Sequence, residues 1–247
     1  MYKSQIKFIT SLSVKKCRNE YGLFVAEGEK LVEELTNSSF NLKHLYITDK
    51  SRLKYSGAEL VSEFEMKKIS GLKTPSTSLA VVEIPKHTLN IKLLQNELVL
   101  ALDDVHDPGN LGTIIRIADW FSIRHIICSF HTADCYNPKT IQATMGAITR
   151  VNVYYADLLS TLSAARELNM PVYGTFLAGN NIYQENLSDS GVIIMGSEGQ
   201  GISPALEELS NYKLHIPPFD EKNTSESLNV AVAASIVCSE FRRKNHN

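Results

Sequence analysis

Apolar and polar positions alternate along this chain in two rhythms. Helical spacing marks residues 30–35 and 64–69, whereas LKHLYIT (42–48) and SLAVVEI (78–84) read as strands, so the first part is a small α/β unit. Pro85 ends it, and KHTLNIKLLQNE reads as a linker and lead-in. ELVLALDDV (97–105) then carries a continuous apolar run, the signature of a strand covered on both faces. Further strands are expected at 123–129, 171–177, 191–196 and 212–217, with helical patterns between them. Strand alternating with helix predicts a mostly parallel sheet, whose ligand site lies beyond the carboxyl ends of the strands.

Three loops follow such strands. In DDVHDPGNLGTIIRIADWF, Pro108 and Gly109 read as a turn, Asn110 as an N-cap, and Leu111 as the start of a helix. Its core stripe is Leu111, Ile114, Ile115, Ala118 and Phe121; Arg116 falls off that stripe, on a face with Thr113 and Trp120, where an arginine is ordinarily solvated. In GVIIMGSEGQGIS, glycines allow backbone amides to approach a ligand. Ile202 stands where a P-loop needs lysine, and Pro204 breaks the dinucleotide fingerprint. Glu198 reads either as a ligand-bonding carboxylate or as an ordinary surface one. The third loop, HIPPFDEKNTSESLNVAVAAS, places Ser227 and Asn229 at the start of a helix of small residues, where both suit capping.

Composition narrows the possibilities. The 247 residues are 43% hydrophobic, enough for one large domain or two small ones, and no apolar run approaches a membrane span. The N-terminal stretch carries scattered charges and no apolar core, so no secretory signal is expected and the chain is placed in the cytoplasm. Four cysteines without a C-x-x-C pair are expected to stay reduced. The net charge of −2 conceals an asymmetry: residues 1–90 carry a net +4 and residues 91–247 a net −6. That split suggests that the N-terminal part meets a polyanion, a solvated lysine face being the plainer reading. Asp103, Asp104, His106 and Asp107 resemble a metal cluster, but no matching His/Cys set accompanies them, and no metal is expected. A hydrolase elbow, G-x-S-x-G, is absent.

Taken together, DPGNLGTIIR, IIMGSEGQGIS and IP followed by SLNVAVAAS resemble, in order and spacing over residues 97–243, the three motifs of the SpoU (TrmH-like) class of SPOUT methyltransferases. The resemblance implies an α/β domain, residues 91–247, with a mostly parallel sheet tied in a C-terminal trefoil knot. Pattern reading would not choose that topology. Residues 1–90 resemble the small α/β RNA substrate-binding domain that often precedes it. The implied reaction transfers a methyl group from S-adenosylmethionine to a ribose 2'-hydroxyl of structured RNA: rRNA, on guanosine or uridine, before tRNA. The implied assembly is a homodimer through the C-terminal domain; Ala231, Ala234, Ser235 and Cys238 form a small-residue face for packing within the knot or across subunits.

The resemblance also assigns residues. Asn110, Arg116, Glu198, Ser227 and Asn229 match the active site, and Gly196, Ile216 and Leu228 match the positions lining the adenosine pocket. A methyl sulfonium is already electrophilic, so the enzyme has to align the ribose oxygen and assist loss of its proton. Because an arginine keeps its proton above pH 12, Arg116 is expected to bind the adjacent RNA phosphate and lower the hydroxyl pKa, with deprotonated-arginine catalysis as the rival. One departure stands out: Pro218 replaces the usual Met, and FDEKNTSE lengthens the loop without a glycine, which bears on cofactor affinity. Lys222 in that loop reads as solvated or as facing RNA. The alternative to an enzyme is an RNA-binding or ribosome-assembly protein with this fold and little turnover. A conventional nucleotide-binding enzyme would need a phosphate-loop signature the chain lacks.

Overall fold

The computed structural model describes residues 1–220 and 226–243, which form two compact units. The first comprises Met1–Lys86 together with Asp134–Thr149. It contains α1 (Lys3–Ser11), α2 (Lys15–Tyr21), β1 (Leu23–Glu27), α3 (Glu29–Thr36), β2 (Leu42–Ile47), β3 (Glu59–Leu60), α4 (Glu63–Ile69) and β4 (Ser78–Glu83). The four strands lie in the order β1-β4-β2-β3, antiparallel except between β2 and β3. Ile9, Leu12, Val25, Tyr46, Met66, Ile69, Leu79 and Val81 pack on one another as its core. α4 begins with a reciprocal capping box between Ser62 and Glu65, two orphan amides being satisfied by one residue pair.

Asp134–Thr149 is remote in sequence from the rest of this unit but fastened into it. The buried Arg18 side chain donates through Nη1 to the carbonyls of Leu12 and Ser13 (2.9 and 2.7 Å) and through Nε and Nη2 to Asp134 Oδ2 (3.1 and 2.6 Å). Gln142 Nε2 donates to the Glu27 carbonyl at 2.6 Å, and the Phe24 and Tyr136 rings lie 4.9 Å apart. A buried guanidinium is tolerable only when its donors are matched in this way.

The second unit, His87–Ala133 with Arg150–Asn247, holds the larger sheet. Its strands are β5 (Leu98–Leu102), β6 (His125–Cys128), β7 (Asn152–Tyr155), β8 (Val172–Asn181), β9 (Gly191–Met195) and β10 (Tyr212–His215). They run parallel throughout in the order β10-β8-β9-β5-β6-β7. α5 (Pro108–Trp120) follows β5; α6 (Pro138–Thr144) belongs to the first unit; α7 (Leu158–Glu167), α8 (Pro204–Glu207) and α9 (Val230–Arg243) complete the helices. β5 and β9 are buried at every position, as continuous apolar strands of a two-sided layer must be. The sequence pattern omits β1, β3 and β7: LFVAE ends on a charged residue, NVYY begins on a polar one, and β3 is only two residues long.

Strand order reverses between β5, which continues to β6 and β7, and β9, whose neighbour is β8. Such a switch point opens a crevice outside the carboxyl ends of the strands, because the two flanking connections leave in opposite directions. α9 packs on α5, which follows β5. Ala231, Ala234 and Cys238 are buried within this chain, and Ser235 is half-buried, so the small-residue face serves helix packing inside the chain. Burial pushes the Cys238 thiol up to about 12, and none of the four cysteines is in a disulfide. Among the described residues no helix is long and apolar enough to cross a membrane.

Candidate active site

The first loop differs from its sequence reading in one respect that shapes the site. Asp107, not Asn110, caps α5: its Oδ1 accepts the Asn110 amide at 2.9 Å, and Pro108 occupies the first helical position, where a missing amide costs nothing. The helix therefore starts three residues earlier than expected, and the Asn110 side chain is released from capping. It projects from the first turn, where Nδ2 donates to Glu198 Oε1 at 2.5 Å.

Glu198 comes from the loop after β9. That loop is pinched by reciprocal backbone bonds between Ser197 and Gly201, both 3.0 Å. A Cβ on Gly196 would lie 2.1 Å from the Gly201 carbonyl carbon and 2.3 Å from the Ile202 nitrogen, so only glycine permits the approach. The pinch is anchored to the first loop: the Ser203 amide donates to Asp103 Oδ2 at 2.7 Å, and Asp103 is buried. Asp104 is tied to Ser129, whose Oγ donates to Asp104 Oδ1 at 2.6 Å. The acidic run is thus occupied by structural bonds, and among the described residues no group of three or more His, Cys, Asp or Glu could hold a metal ion.

Asn229 joins from the third loop. Its Oδ1 accepts from the amides of Ala231 (3.0 Å) and Val232 (3.3 Å), capping α9, while Nδ2 donates to Asn110 Oδ1 at 3.1 Å. Ser227, read from sequence as a second cap, lies outside the helix and is exposed. The chain Glu198–Asn110–Asn229 therefore links all three loops. It sets a carboxylate and two amides on the rim of the parallel sheet, a group able to orient a hydroxyl or an amine.

The other expected site residues stand apart from this network. Arg116 is exposed on α5, about 9 Å further along the helix axis than Asn110. It meets no hydrogen-bond or ion-pair partner among the described residues. Thr113 and Trp120 share its exposed side, Trp120 with 84% of its surface open. Ile216, half-buried, and Leu228, 46% exposed, are on the β10–α9 segment that ends at Asn229, and Gly196 opens the pinched loop. Lys222 lies outside the described residues. The Asp103–Ser203 fastening and the Asp107 cap escaped sequence reading; D-P at a helix start was the available signal for the second.

Comparison with known proteins gives a consistent picture. Residues 97–239 match the SpoU rRNA Methylase family, and residues 3–80 match an MRM3-like substrate binding domain. The chain is 34% identical over 96% of both sequences to the 23S rRNA (guanosine(2553)-2'-O)-methyltransferase RlmP of Bacillus subtilis. Its structure is similar to that of a TrmH-family protein from Porphyromonas gingivalis, with 38% identity, a TM-score of 0.88 and 99% of each chain covered. It is also similar to an AdoMet-bound rRNA methyltransferase from Sinorhizobium meliloti, with 28% identity, a TM-score of 0.85, and 99% of this chain and 96% of that one covered.

Proposed function

Because this chain belongs to the SpoU rRNA methylase family, we propose that it transfers a methyl group from S-adenosylmethionine to a ribose 2'-hydroxyl of 23S rRNA. The observation that carries the assignment to a site is the Glu198–Asn110–Asn229 chain, which joins three loops at the switch point of a parallel sheet. The 34% identity to a guanosine-specific relative along nearly the whole chain favours guanosine as the methylated nucleotide.

The site residues fit the cofactor. Ile216 and Leu228 offer apolar surface to an adenine ring on the segment leading to the Asn229 cap, and the Ser197–Gly201 pinch holds the adjoining loop in one shape. When bound, S-adenosylmethionine supplies an electrophilic methyl group. Gly196, Ile216 and Leu228 bind the adenosine part; Asn110, Glu198, Ser227 and Asn229 orient the ribose and the cofactor. Arg116, whose fork is uncommitted among the described residues, binds the phosphate beside the target ribose and lowers the pKa of its hydroxyl by a charge-assisted contact. A planar guanidinium suits that task because it can reach phosphate and ribose at once.

Residues 1–90 serve as the RNA substrate-binding domain and residues 91–247 as the methyltransferase domain. The +4 charge of the former and its match to an MRM3-like substrate binding domain support the division. The C-terminal part of the sheet is tied as a trefoil knot, a reading supported by the packing of α9 on α5. Two copies associate through the C-terminal domain: the α5–α9 pair leaves Trp120 and Val232 open to solvent, apolar groups that a second copy would cover. The protein works in the cytoplasm, beside its rRNA substrate.

Ribose methylation mapped across 23S rRNA from a strain lacking the gene tests the activity. One 2'-O-methyl group should disappear and return when the purified protein and S-adenosylmethionine are added. An unchanged map in rRNA, with a lost methyl group in tRNA, would overturn the substrate assignment.

A further inference from the structure

The loop after β6, Ser129–Ala133, is braced far more than a connecting loop requires. Ser129 Oγ receives the Asp104 amide (2.9 Å), donates to Asp104 Oδ1 (2.6 Å) and lies 2.9 Å from Thr132 Oγ1. Thr132 Oγ1 donates to the Leu102 carbonyl (3.1 Å), and the Ala133 amide donates to the Val105 carbonyl (2.9 Å). Tyr155 Oη donates to the Ala133 carbonyl at 2.5 Å, and His106 Nδ1 sits 3.1 Å from the His131 carbonyl. Asp104, the hub of these contacts, has φ 55, a left-handed conformation that a non-glycine residue adopts only when its surroundings hold it there.

This bracing holds one residue out in solvent. Phe130 is 63% exposed, and among the described residues its ring meets no other ring or cation. Its chain neighbour His131, and His106 in contact with that residue, are exposed polar rings. A second copy of this chain would be expected to dock on clustered apolar surface, whereas a flat ring among polar groups matches a nucleobase, whose face is apolar and whose edges are polar. Phe130 also stands on the same carboxyl rim as Asn110, the two loops being joined through the His106–His131 contact and the Asp107 cap.

We propose that Phe130 is a positioning residue that stacks on a base of the RNA substrate next to the methylated ribose. The proposal rests on the transferase reading above. Stacking orders an unpaired nucleotide against the rim before methyl transfer, and it acts on RNA alone, leaving the cofactor pocket untouched.

The test uses the full chain and 23S rRNA from a strain lacking the gene. Phe130→Ala and Phe130→Leu should raise KM for that RNA about 5- to 150-fold, the range for loss of one base–aromatic stack, while Phe130→Trp restores it and cofactor affinity stays constant in all three. A Trp120→Phe, Phe130→Trp protein has its single tryptophan at the platform, and its fluorescence should be quenched when the RNA is added. Wild-type KM in Phe130→Ala, or rescue by Leu equal to that by Trp, would overturn stacking. So would a change in sedimentation in Phe130→Ala, which would assign the ring to contact between copies. Quenching is read without turnover: quenching without methyl transfer by the wild type would sink the transferase reading and keep the platform, while transfer without quenching would do the reverse.

Discussion

Asn229 caps α9 with its Oδ1 while donating through Nδ2 to Asn110 Oδ1 at 3.1 Å, so one amide side chain both starts a helix and closes the site network. The two roles use different atoms and can be separated. Asn229→Asp keeps the capping oxygen and removes the donor; it should leave the melting temperature near wild type and lower the rate of methyl transfer. Asn229→Ala removes both and should also cost about 1 kcal/mol, lowering the melting temperature by about 2–4 °C. Thermal unfolding beside single-turnover kinetics reads the two effects apart, and equal rates in Asn229→Asp and wild type would remove Asn229 from the active site.

Gly196 and Gly199 belong to one loop but differ in what a methyl group would meet. Gly196→Ala forces apart the Ser197–Gly201 pinch and should abolish binding of S-adenosylhomocysteine in calorimetry, at a stability cost of about 1–3 kcal/mol. Gly199→Ala enters open space and should bind as wild type does. A large side chain at Gly196 would be a poor probe of the pocket itself, because the loop backbone is the first thing it strikes. Unchanged binding in Gly196→Ala would show that the pinch is dispensable.

The parallel sheet was legible because ELVLALDDV and GVIIMG are uninterrupted apolar runs, and a two-sided strand leaves that trace in sequence. Strands β1 and β7 were not, since FVAE and NVYY mix polar residues into four positions and owe their state to their partners. Among the expected site residues, the motifs pointed to Asn110, Glu198 and Asn229, which the structure brings together, but Asn110 was read as the cap of α5 in place of Asp107. Asp107 and Asn110 are both good caps, and only the position of Pro108 in the first turn settles the choice. Pairing of Arg18 with Asp134, 116 residues away, left no local pattern at all. Such a contact is set by the fold as a whole, and a lone charged residue in a sequence reads as solvated.

That ion pair gives a stability prediction. Asp134→Ala leaves the buried Arg18 guanidinium with carbonyl partners only, and should destabilise the first unit by about 3–5 kcal/mol. Urea unfolding followed by the fluorescence of its tyrosines, with Asp134→Asn as the milder control, measures the loss. A change below about half a kcal/mol would mean that the two carbonyls suffice.

The most direct measurement of the central claim is single-turnover transfer of a labelled methyl group to 23S rRNA from a strain lacking the gene, with wild type, Arg116→Ala and Arg116→Lys side by side. Arg116 is exposed and without a partner among the described residues, so its removal should change stability by no more than about half a kcal/mol. If it holds phosphate and ribose in the transition state, Arg116→Ala should fold, bind S-adenosylhomocysteine normally and lose about 10²- to 10⁴-fold in rate. Arg116→Lys should recover little of that loss, since it restores the charge without the planar fork. Near-wild-type transfer by Arg116→Ala would contradict the account.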